Sequence, residues 1–291
     1  MGRITQRRRI VRLNAGRHSA RPDVLVVEEP LEIRVGGRTL AVTMRTPGRD
    51  VDLAVGFLLS EGVIGSPSDV VAARYCTGTG PDPNYNTIDV TLAPGVAPPD
   101  PSIERAFYTT SSCGICGKAS LDAIRTAERW TVADDDAVVD ASLISALPDR
   151  LRAGQSVFDR TGGLHAAGLF TSEGRLLCLR EDVGRHNAVD KVIGWALKED
   201  RLPLRGCVLQ VSGRVSFELT QKALMAGIAT LSAVSAPSSL AVDLATEAGM
   251  TLIGFVRGSS MNIYTGQHRI ALPDPAQVTY GGGESSPAAS G

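Results

Sequence analysis

Segments with the apolar spacing of strands and helices alternate along the C-terminal part of this chain, and this alternation constrains the fold more than any other feature. Residues 185–198 are typical of a helix, because Val189, Val192 and Ile193 share one face at helical spacing. Such alternation predicts an α/β core in which helices cover a largely parallel sheet. The predicted strands cover 164–170, 175–179, 207–211, 231–234, 250–256 and 261–264, and the other helices cover 217–229 and 238–248.

The region before this core is richer in predicted strands. An alternating run over 31–35, a turn at Gly36 and Gly37, and a returning run over 39–44 predict a hairpin. A helix is expected from Asp50 to Glu61, then a strand over 87–92 and a proline-rich loop over 93–101. The chain therefore divides into a basic flexible arm over 1–22, a smaller β-rich part over 23–105, an α/β core over 106–270 and a disordered tail over 271–291.

Charge and cysteine content argue against several classes of protein. The 291 residues carry a net charge of −1, which gives no overall case for binding nucleic acid. No apolar run approaches the ~18 residues of a membrane span. Five cysteines are an odd number for a secreted disulfide framework, so the sequence fits a reducing cytoplasm better.

The first segment is locally basic, although the chain as a whole is not. Its arginines are not followed by the apolar stretch that an export signal needs. The segment is interpreted as a solvated basic arm, and docking to an acidic partner or to cofactor phosphates is the alternative. The clustered residues are Arg3, Arg7, Arg8, Arg9 and Arg12.

Cys113 and Cys116 form the single closely spaced pair of cysteines in the sequence. A predicted strand over 106–110 precedes them and a predicted helix over 118–129 follows. Thiols at such a turn lie near free backbone N–H groups and the positive end of a helix dipole, which favours the thiolate. The thiolate is the nucleophilic form of cysteine, so the sequence indicates sulfur chemistry at this turn.

Three further predicted loops lead from a strand into a helix and are rich in glycine, serine and charged residues. In open α/β sheets, ligands bind beyond the carboxyl ends of strands, where helix N-termini point inward. Arg185 and Arg214 would add charge-assisted bonds to a phosphate there. Each loop alone is equally compatible with plain helix capping, but three together favour an anionic, nucleotide-like ligand. The loops cover 181–187, 211–216 and 235–239.

Two histidines and a fourth loop are candidates of a different kind. His186 lies in a charged loop and is the better acid–base candidate, whereas His165 on an apolar strand is expected to have a core role. In the segment 255–260, Arg257 and Gly258 could hold a phosphate or a guanine, although a plain hairpin turn explains the same residues. Small core positions are expected for Cys76, Cys178 and Cys207.

Motifs for nucleotide and zinc binding are incomplete. A Walker A loop would need glycine at Ser112 and a hydroxyl residue at Ala119. None of the four histidines has glutamate two positions later, as a zinc deaminase requires. No protein-bound metal site is therefore expected.

Taken together, these motifs resemble a known family, the formate dehydrogenase accessory sulfurtransferases (FdhD). The similarity covers most of the chain, roughly from Pro30 to Ile270, and excludes the basic arm and the tail. It is carried by residues 111–117, 161–165, 181–191, 212–214 and 236–239.

The resemblance implies a layered α/β core like that of the cytidine deaminases, without their zinc. It implies transfer of sulfur from a cysteine desulfurase to the molybdenum (or tungsten) bis-guanine-dinucleotide pterin cofactor of formate dehydrogenase, with guanine nucleotides as mimics of the cofactor. Cys113 would carry the persulfide and Cys116 would assist. The cofactor would contact Arg185, His186, Ser212 and Arg214, and the matching segment Phe255, Val256, Arg257, Gly258, Ser259 and Ser260. A homodimer in the cytoplasm is also implied.

Two other functions stay open at this point. A dithiol–disulfide oxidoreductase would use Cys113 and Cys116, but it leaves the other loops unexplained. A cofactor chaperone without enzymatic activity would use the cysteines only to hold metal or a partner.

Overall fold

The computed structural model describes residues 3–77, 85–99 and 129–273, so Cys113, Cys116 and almost all of the expected tail lie outside the described residues. The strands are β1 Thr5–Asn14, β2 Arg17–Val26, β3 Glu29–Val35, β4 Arg38–Arg45, β5 Val70–Tyr75, β6 Thr87–Leu92, β7 Val139–Asp140, β8 His165–Thr171, β9 Leu176–Asp182, β10 Cys207–Val211, β11 Thr230–Ala233, β12 Thr251–Arg257, β13 Ser260–Thr265 and β14 Ile270–Ala271. The helices are α1 Asp50–Ser60, α2 Ala141–Gly154, α3 Ser156–Thr161, α4 Arg185–Lys198, α5 Phe217–Met225 and α6 Ser239–Glu247.

A six-stranded sheet with the order β13-β12-β11-β10-β8-β9 forms the centre of the fold. The pairs β10–β11 and β11–β12 are parallel, and the other three neighbouring pairs are antiparallel. The α/β class is confirmed, but the expectation of a largely parallel sheet is wrong. Short turns join β8 to β9 and β12 to β13, whereas a parallel pair needs a crossover of about a dozen residues.

Helices cover both faces of the central sheet. Helix α2 packs on one face against Phe170, Val208 and Ile253. On the other face, Val189 and Val192 of α4 belong to the larger core. This larger core also includes the apolar residues of α5 and α6, so the helical periodicity that predicted α4 reflects real burial.

The N-terminal part joins the same core through α1. A four-stranded sheet with the order β4-β3-β6-β5 contains the expected β3–β4 hairpin, and α1 lies between this sheet and α4. Helices α1 and α4 touch backbone to backbone, because methyl groups on Gly56 and Gly194 would overlap the carbonyl oxygens of Asp190 and Asp52. The two glycines thus set the distance between the two parts.

Residues 5–26 form a long β-hairpin, β1–β2, where a flexible arm had been expected over 1–22. Ten cross-strand pairs run from Thr5 with Val26 to Asn14 with Arg17. The two turn residues, Ala15 and Gly16, both have positive φ angles, of 47° and 77°. Such a two-residue turn matches the twist of paired strands. The Asn-Ala-Gly-Arg sequence was therefore the local signal for a hairpin, but the basic charge of the segment had favoured a flexible arm.

Two element boundaries also differ from expectation. Helix α5 ends at Met225 rather than near 229, because Gly227 turns the chain with a φ of 71° before β11 begins. Strand β9 continues to Asp182, three residues beyond the expected end at 179. None of the helices in the described ranges is long and apolar enough to cross a membrane.

Candidate functional site

The loops singled out in the sequence lie along one edge of the central sheet. Asp182 at the end of β9 pairs with His165 at the start of β8, and Val211 at the end of β10 pairs with Ala167. Strands β10, β11 and β12 are parallel, so their carboxyl ends meet at this same edge. We call the edge formed by residues 165, 183–186, 212–216, 234–238 and 257–260 the loop edge.

His165 faces the turn after β10. The Ser212 hydroxyl accepts a hydrogen bond from the Ala166 amide at 2.8 Å and lies 3.4 Å from His165 Nδ1. Burial, and then the nearby charges of Arg185 and His186, lower the pKa of His165 below the ordinary histidine value of 6.5. His165 is therefore a half-buried group at the loop edge, and its environment favours the neutral imidazole.

His186 is held by residues of the next loop. Its Nε2 atom lies 2.9 Å from a carboxylate oxygen of Glu218 and 3.1 Å from the Ser216 hydroxyl. The hydrogen bond to His186 lowers the pKa of Glu218. Sequence reasoning did not identify Glu218, and its position in the first turn of α5 was the available signal.

Arg185 opens helix α4 at the centre of this group. Its Nε atom is buried and has no hydrogen-bond partner among residues 3–77, 85–99 and 129–273. A methyl group on Gly213 would lie 3.6 Å from Arg185 Cδ and 3.3 Å from His165 Nδ1, so the three residues are neighbours. Gly184, the residue before the helix, provides no side-chain cap. The free amides of α4 and the guanidinium of Arg185 together favour an anion.

Asp182 holds the loop before α4 in place. Its carboxylate is fully buried and accepts hydrogen bonds from the Gly184 amide at 2.8 Å, Asn187 Nδ2 at 3.0 Å and the Thr46 amide at 3.1 Å. Lys191 completes the set with a 2.6 Å ion pair. The sequence had suggested a charged ligand-binding loop here. The Asp182 carboxylate instead points into the protein, and its hydrogen bonds hold the loop that positions Arg185 and His186.

Glu181 has a structural role as well. Its two carboxylate oxygens accept hydrogen bonds from the amides of Val157 and Phe158, at 3.1 and 2.8 Å. These amides belong to the first turn of α3, so Glu181 caps that helix from a distance. Both acidic residues of segment 181–187, Glu181 and Asp182, thus form structural hydrogen bonds within the fold.

The segment 255–260 forms the β12–β13 hairpin at the far end of the loop edge. Phe255 is 47% exposed with a positive φ of 54°, and its amide donates to the Ser235 carbonyl at 3.2 Å. Val256 is only 1% exposed and its side chain packs in the α2 core, so its expected part in cofactor binding stays a prediction that would involve its backbone. The remaining residues of the segment are exposed: Arg257, Gly258, Ser259 and Ser260.

The predicted ligand residues fall into two groups. Arg185, His186 and Ser212 lie together near His165, whereas the β12–β13 hairpin is three strand spacings away, or ~14 Å. The turns 212–216 and 234–238 bridge this gap, since the Val215 amide donates to the Ala236 carbonyl at 3.1 Å. Arg214 is exposed beside this bridge. An elongated anionic ligand could span both groups.

Two of the three cysteines in the described region, Cys178 and Cys207, are poor candidates for reactive thiols. Burial raises the pKa of Cys178 and of Cys207 to about 11, which suppresses the thiolate. The core position expected for Cys178 is confirmed, but Cys76 is exposed, so the same expectation for Cys76 is wrong. The predictions for Cys113 and Cys116 concern residues outside the described ranges and stay predictions.

A family model and several proteins are similar to this chain. The model of the FdhD/NarQ family matches residues 26–271. The sulfur carrier protein FdhD of Streptomyces avermitilis is 62% identical over 94% of this chain and 98% of its own length. The protein of the same name from Mycobacterium tuberculosis H37Rv is 58% identical over 93% of this chain and the whole of its own.

One solved structure shows the same fold. The crystal structure of a protein assigned as a formate dehydrogenase accessory protein, from Desulfotalea psychrophila, superimposes with a TM-score of 0.73 at 23% identity. The match covers 92% of this chain and 100% of that one. At this identity the likeness bears on the architecture alone.

Proposed function

The chain belongs to the FdhD/NarQ family, and from this premise we propose that it is a sulfurtransferase that serves formate dehydrogenase. Relatives named sulfur carrier proteins, 62% identical across nearly the whole chain, support a role in sulfur transfer. The finer proposal is that a cysteine desulfurase loads one cysteine with persulfide, and that this sulfur then passes to the molybdenum bis-guanine-dinucleotide pterin cofactor. The cofactor is cargo here rather than a resident group.

The sulfur step requires a nucleophilic thiolate, and Cys113 is our candidate. The Cys113 thiolate attacks the outer sulfur of the donor's persulfide, a new S–S bond forms, and the donor's inner sulfur leaves as a thiolate. No net oxidation occurs. Cys113 is favoured because the predicted helix start and the positive charge of Lys118 both favour the thiolate, while Gly114 and Gly117 let the backbone turn tightly around the sulfur. Cys116 assists in this proposal.

The cofactor-binding part of the proposal rests on one observation at the start of α4, where Gly184 provides no side-chain cap. The buried Nε of Arg185 has no hydrogen-bond partner there within the part of the chain that the structure describes. Guanine dinucleotide arms carry phosphates, and a guanidinium beside free helix amides is a suitable receptor for them. His186 and Ser212 border the same place. Arg257 and its exposed neighbours would contact a second part of the same long ligand, ~14 Å away across three strands.

The decisive experiment is an intact-mass measurement after incubation with a cysteine desulfurase and cysteine. The proposal requires a mass gain of one sulfur atom that disappears in Cys113→Ala, while the variant stays folded by circular dichroism. A loss of two hydrogens would instead indicate a dithiol–disulfide oxidoreductase. An unchanged mass would indicate a cofactor chaperone without sulfur transfer.

A separate measurement tests the binding of the guanine arms. Calorimetry with GDP should detect binding to the wild type, and Arg257→Ala should weaken it without affecting sulfur loading. Removing one charge-assisted bond costs roughly 1.5–3 kcal/mol, which is about a 10- to 100-fold loss of affinity. If loading fails while GDP binding is normal, Arg257 belongs to the surface that faces the desulfurase and the cofactor lies elsewhere.

A further inference from the structure

The segment that forms the β1–β2 hairpin carries a net positive charge, whereas the rest of the chain carries a net negative charge. Residues 1–26 contain seven arginines and one aspartate, a net charge of +6. Because the whole chain carries −1, the remaining residues carry −7. Two isolated strands are marginally stable in water, and this pair is exposed along most of its length. The exposed hairpin therefore contributes little to the stability of the fold, which favours a role in binding.

One face of the hairpin is strongly basic. Alternation places four arginines and one acidic residue, Asp23, on the same side of the two strands. Asp23 lies opposite Arg8, and the cross-strand register brings Arg12 and Arg21 into diagonal contact distance. Like charges at this spacing repel, and none of the four forms an ion pair with the described part of the chain. A face of this kind is stabilised by an external anion. The four residues are Arg8, Arg12, Arg17 and Arg21.

The other face ends in exposed aliphatic side chains. Val11 is 69% exposed and Leu13 is 72% exposed, close to the turn at Ala15. Residues 3–26 contain no tryptophan, tyrosine or phenylalanine, the residues that stack on bases or anchor proteins at membrane interfaces. Arginine next to aliphatic side chains is instead the composition of a protein–protein interface. The hairpin therefore fits an acidic protein surface better than a nucleic acid or a membrane.

The base of the hairpin lies beside the loop edge. A methyl group on Gly163 would lie 3.2 Å from Val26 Cγ1, and Gly163 is two residues from His165. The Val27 amide donates to the Ile4 carbonyl at 2.9 Å and closes the base, and helix α3 packs against β2. A protein held by the hairpin is therefore close to the place where the proposed sulfur chemistry and cofactor binding occur.

We propose that the β1–β2 hairpin is the docking element for the protein that donates the persulfide, and that this donor presents an acidic surface to Arg8, Arg12, Arg17 and Arg21. This inference rests on the proposed function. In that function the acceptor is a small molecule, whereas the donor's sulfur is attached to a protein cysteine. Formate dehydrogenase, the other protein in that function, receives the cofactor only after sulfur transfer. The donor is thus the protein partner of the loading step, and the hairpin offers it a surface ten residues or ~33 Å in length.

The chemical step itself does not need the hairpin. A low-molecular-weight alkyl persulfide delivers its outer sulfur by the same exchange: the new S–S bond forms on the protein and the alkyl thiolate leaves. Electrostatic docking speeds encounter with a protein donor and leaves this small donor unaffected. Comparing the two donors therefore separates docking from chemistry.

The test uses the full chain in three forms: wild type, Arg8→Glu with Arg12→Glu, and a matched control with Arg175→Glu and Arg205→Glu. The control arginines are exposed and lie at the opposite edge of the central sheet. Intact mass follows the gain of one sulfur atom from a cysteine desulfurase with cysteine, and separately from the alkyl persulfide. We expect the hairpin variant to load at least about tenfold more slowly from the desulfurase and normally from the alkyl persulfide. The control should match the wild type with both donors.

Several results would overturn the inference. Equal loading of hairpin variant and wild type by the desulfurase excludes docking there, and equal slowing of both variants shows an effect of net charge alone. Slow loading of a folded hairpin variant by the alkyl persulfide places the defect in the chemistry. If the hairpin variant loads normally but loses binding to duplex DNA or anionic vesicles, the hairpin serves those partners. If the wild type loads from neither donor, the proposed function fails and the inference with it.

Discussion

Arg185 lies at the start of α4, which has no side-chain cap, and its buried Nε atom has no hydrogen-bond partner among the described residues. We predict that Arg185→Ala weakens GDP binding about 10- to 100-fold, because one charge-assisted bond to phosphate is worth roughly 1.5–3 kcal/mol. Calorimetry at constant ionic strength measures the change. Arg205→Ala, at an exposed position far from the loop edge, is the control and should bind GDP normally. If Arg185→Ala binds GDP with unchanged affinity, the phosphate does not bind at the start of α4.

His165 makes stability depend on pH. Its folded pKa lies below 6.5, chiefly because of burial, so the unfolded chain binds the proton more tightly. Its contribution to stability is present above pH 6.5 and is lost as the pH falls from there through the folded pKa. We predict that urea midpoints of the wild type fall more steeply below this pH than those of His165→Asn. Parallel pH curves for the two proteins would contradict the prediction.

At the scale of single residues, sequence patterns located the loop edge but did not assign roles along it. Arg185, His186 and Ser212 were expected together and are together. Glu218 was missed because its bond to His186 joins two loops that are distant in sequence. Asp182 was taken as part of a ligand loop, since the sequence could not show that its carboxylate is buried among four donors.

Contact between α1 and α4 depends on two glycines. A methyl group on Gly194 would overlap the Asp52 carbonyl, so we predict that Gly194→Ala lowers the free energy of unfolding by about 1–3 kcal/mol. On an exposed helix the same substitution would stabilise by roughly 1 kcal/mol, so the sign of the change is diagnostic. Denaturant unfolding provides the measurement. A stabilised variant would mean that the helices separate easily.

At the scale of elements, periodic segments and the β3–β4 hairpin were predicted well, but strand pairing in the central sheet was not. Helix α4 was located correctly because its buried face repeats at helical spacing over fourteen residues. The antiparallel pairing of β8 with β10 was not predicted, because it depends on how the central sheet assembles rather than on the composition of either strand. The β1–β2 hairpin was missed because its strands are charged and exposed, so apolar alternation hardly marks them.

At the scale of the whole molecule, the hairpin is separable from the core. We predict that replacing residues 9–22 by Asn-Gly, which joins the paired residues Arg8 and Asp23, changes the free energy of unfolding by less than about 0.5 kcal/mol. The reason is that the removed residues are almost all exposed. Guanidinium unfolding measures this change. A decrease of about 2 kcal/mol or more in the free energy of unfolding would mean that the distal hairpin stabilises the core.

The separation of charge between hairpin and body also governs how the protein behaves in concentrated solution. Near the sequence isoelectric point of about 6.4 the net charge vanishes, but the two regions keep opposite signs. Molecules then attract head to tail through their electric dipoles, and such contacts do not close into a ring by themselves. Solubility is therefore lowest near this pH at low ionic strength. Added salt screens the attraction and returns the protein to solution.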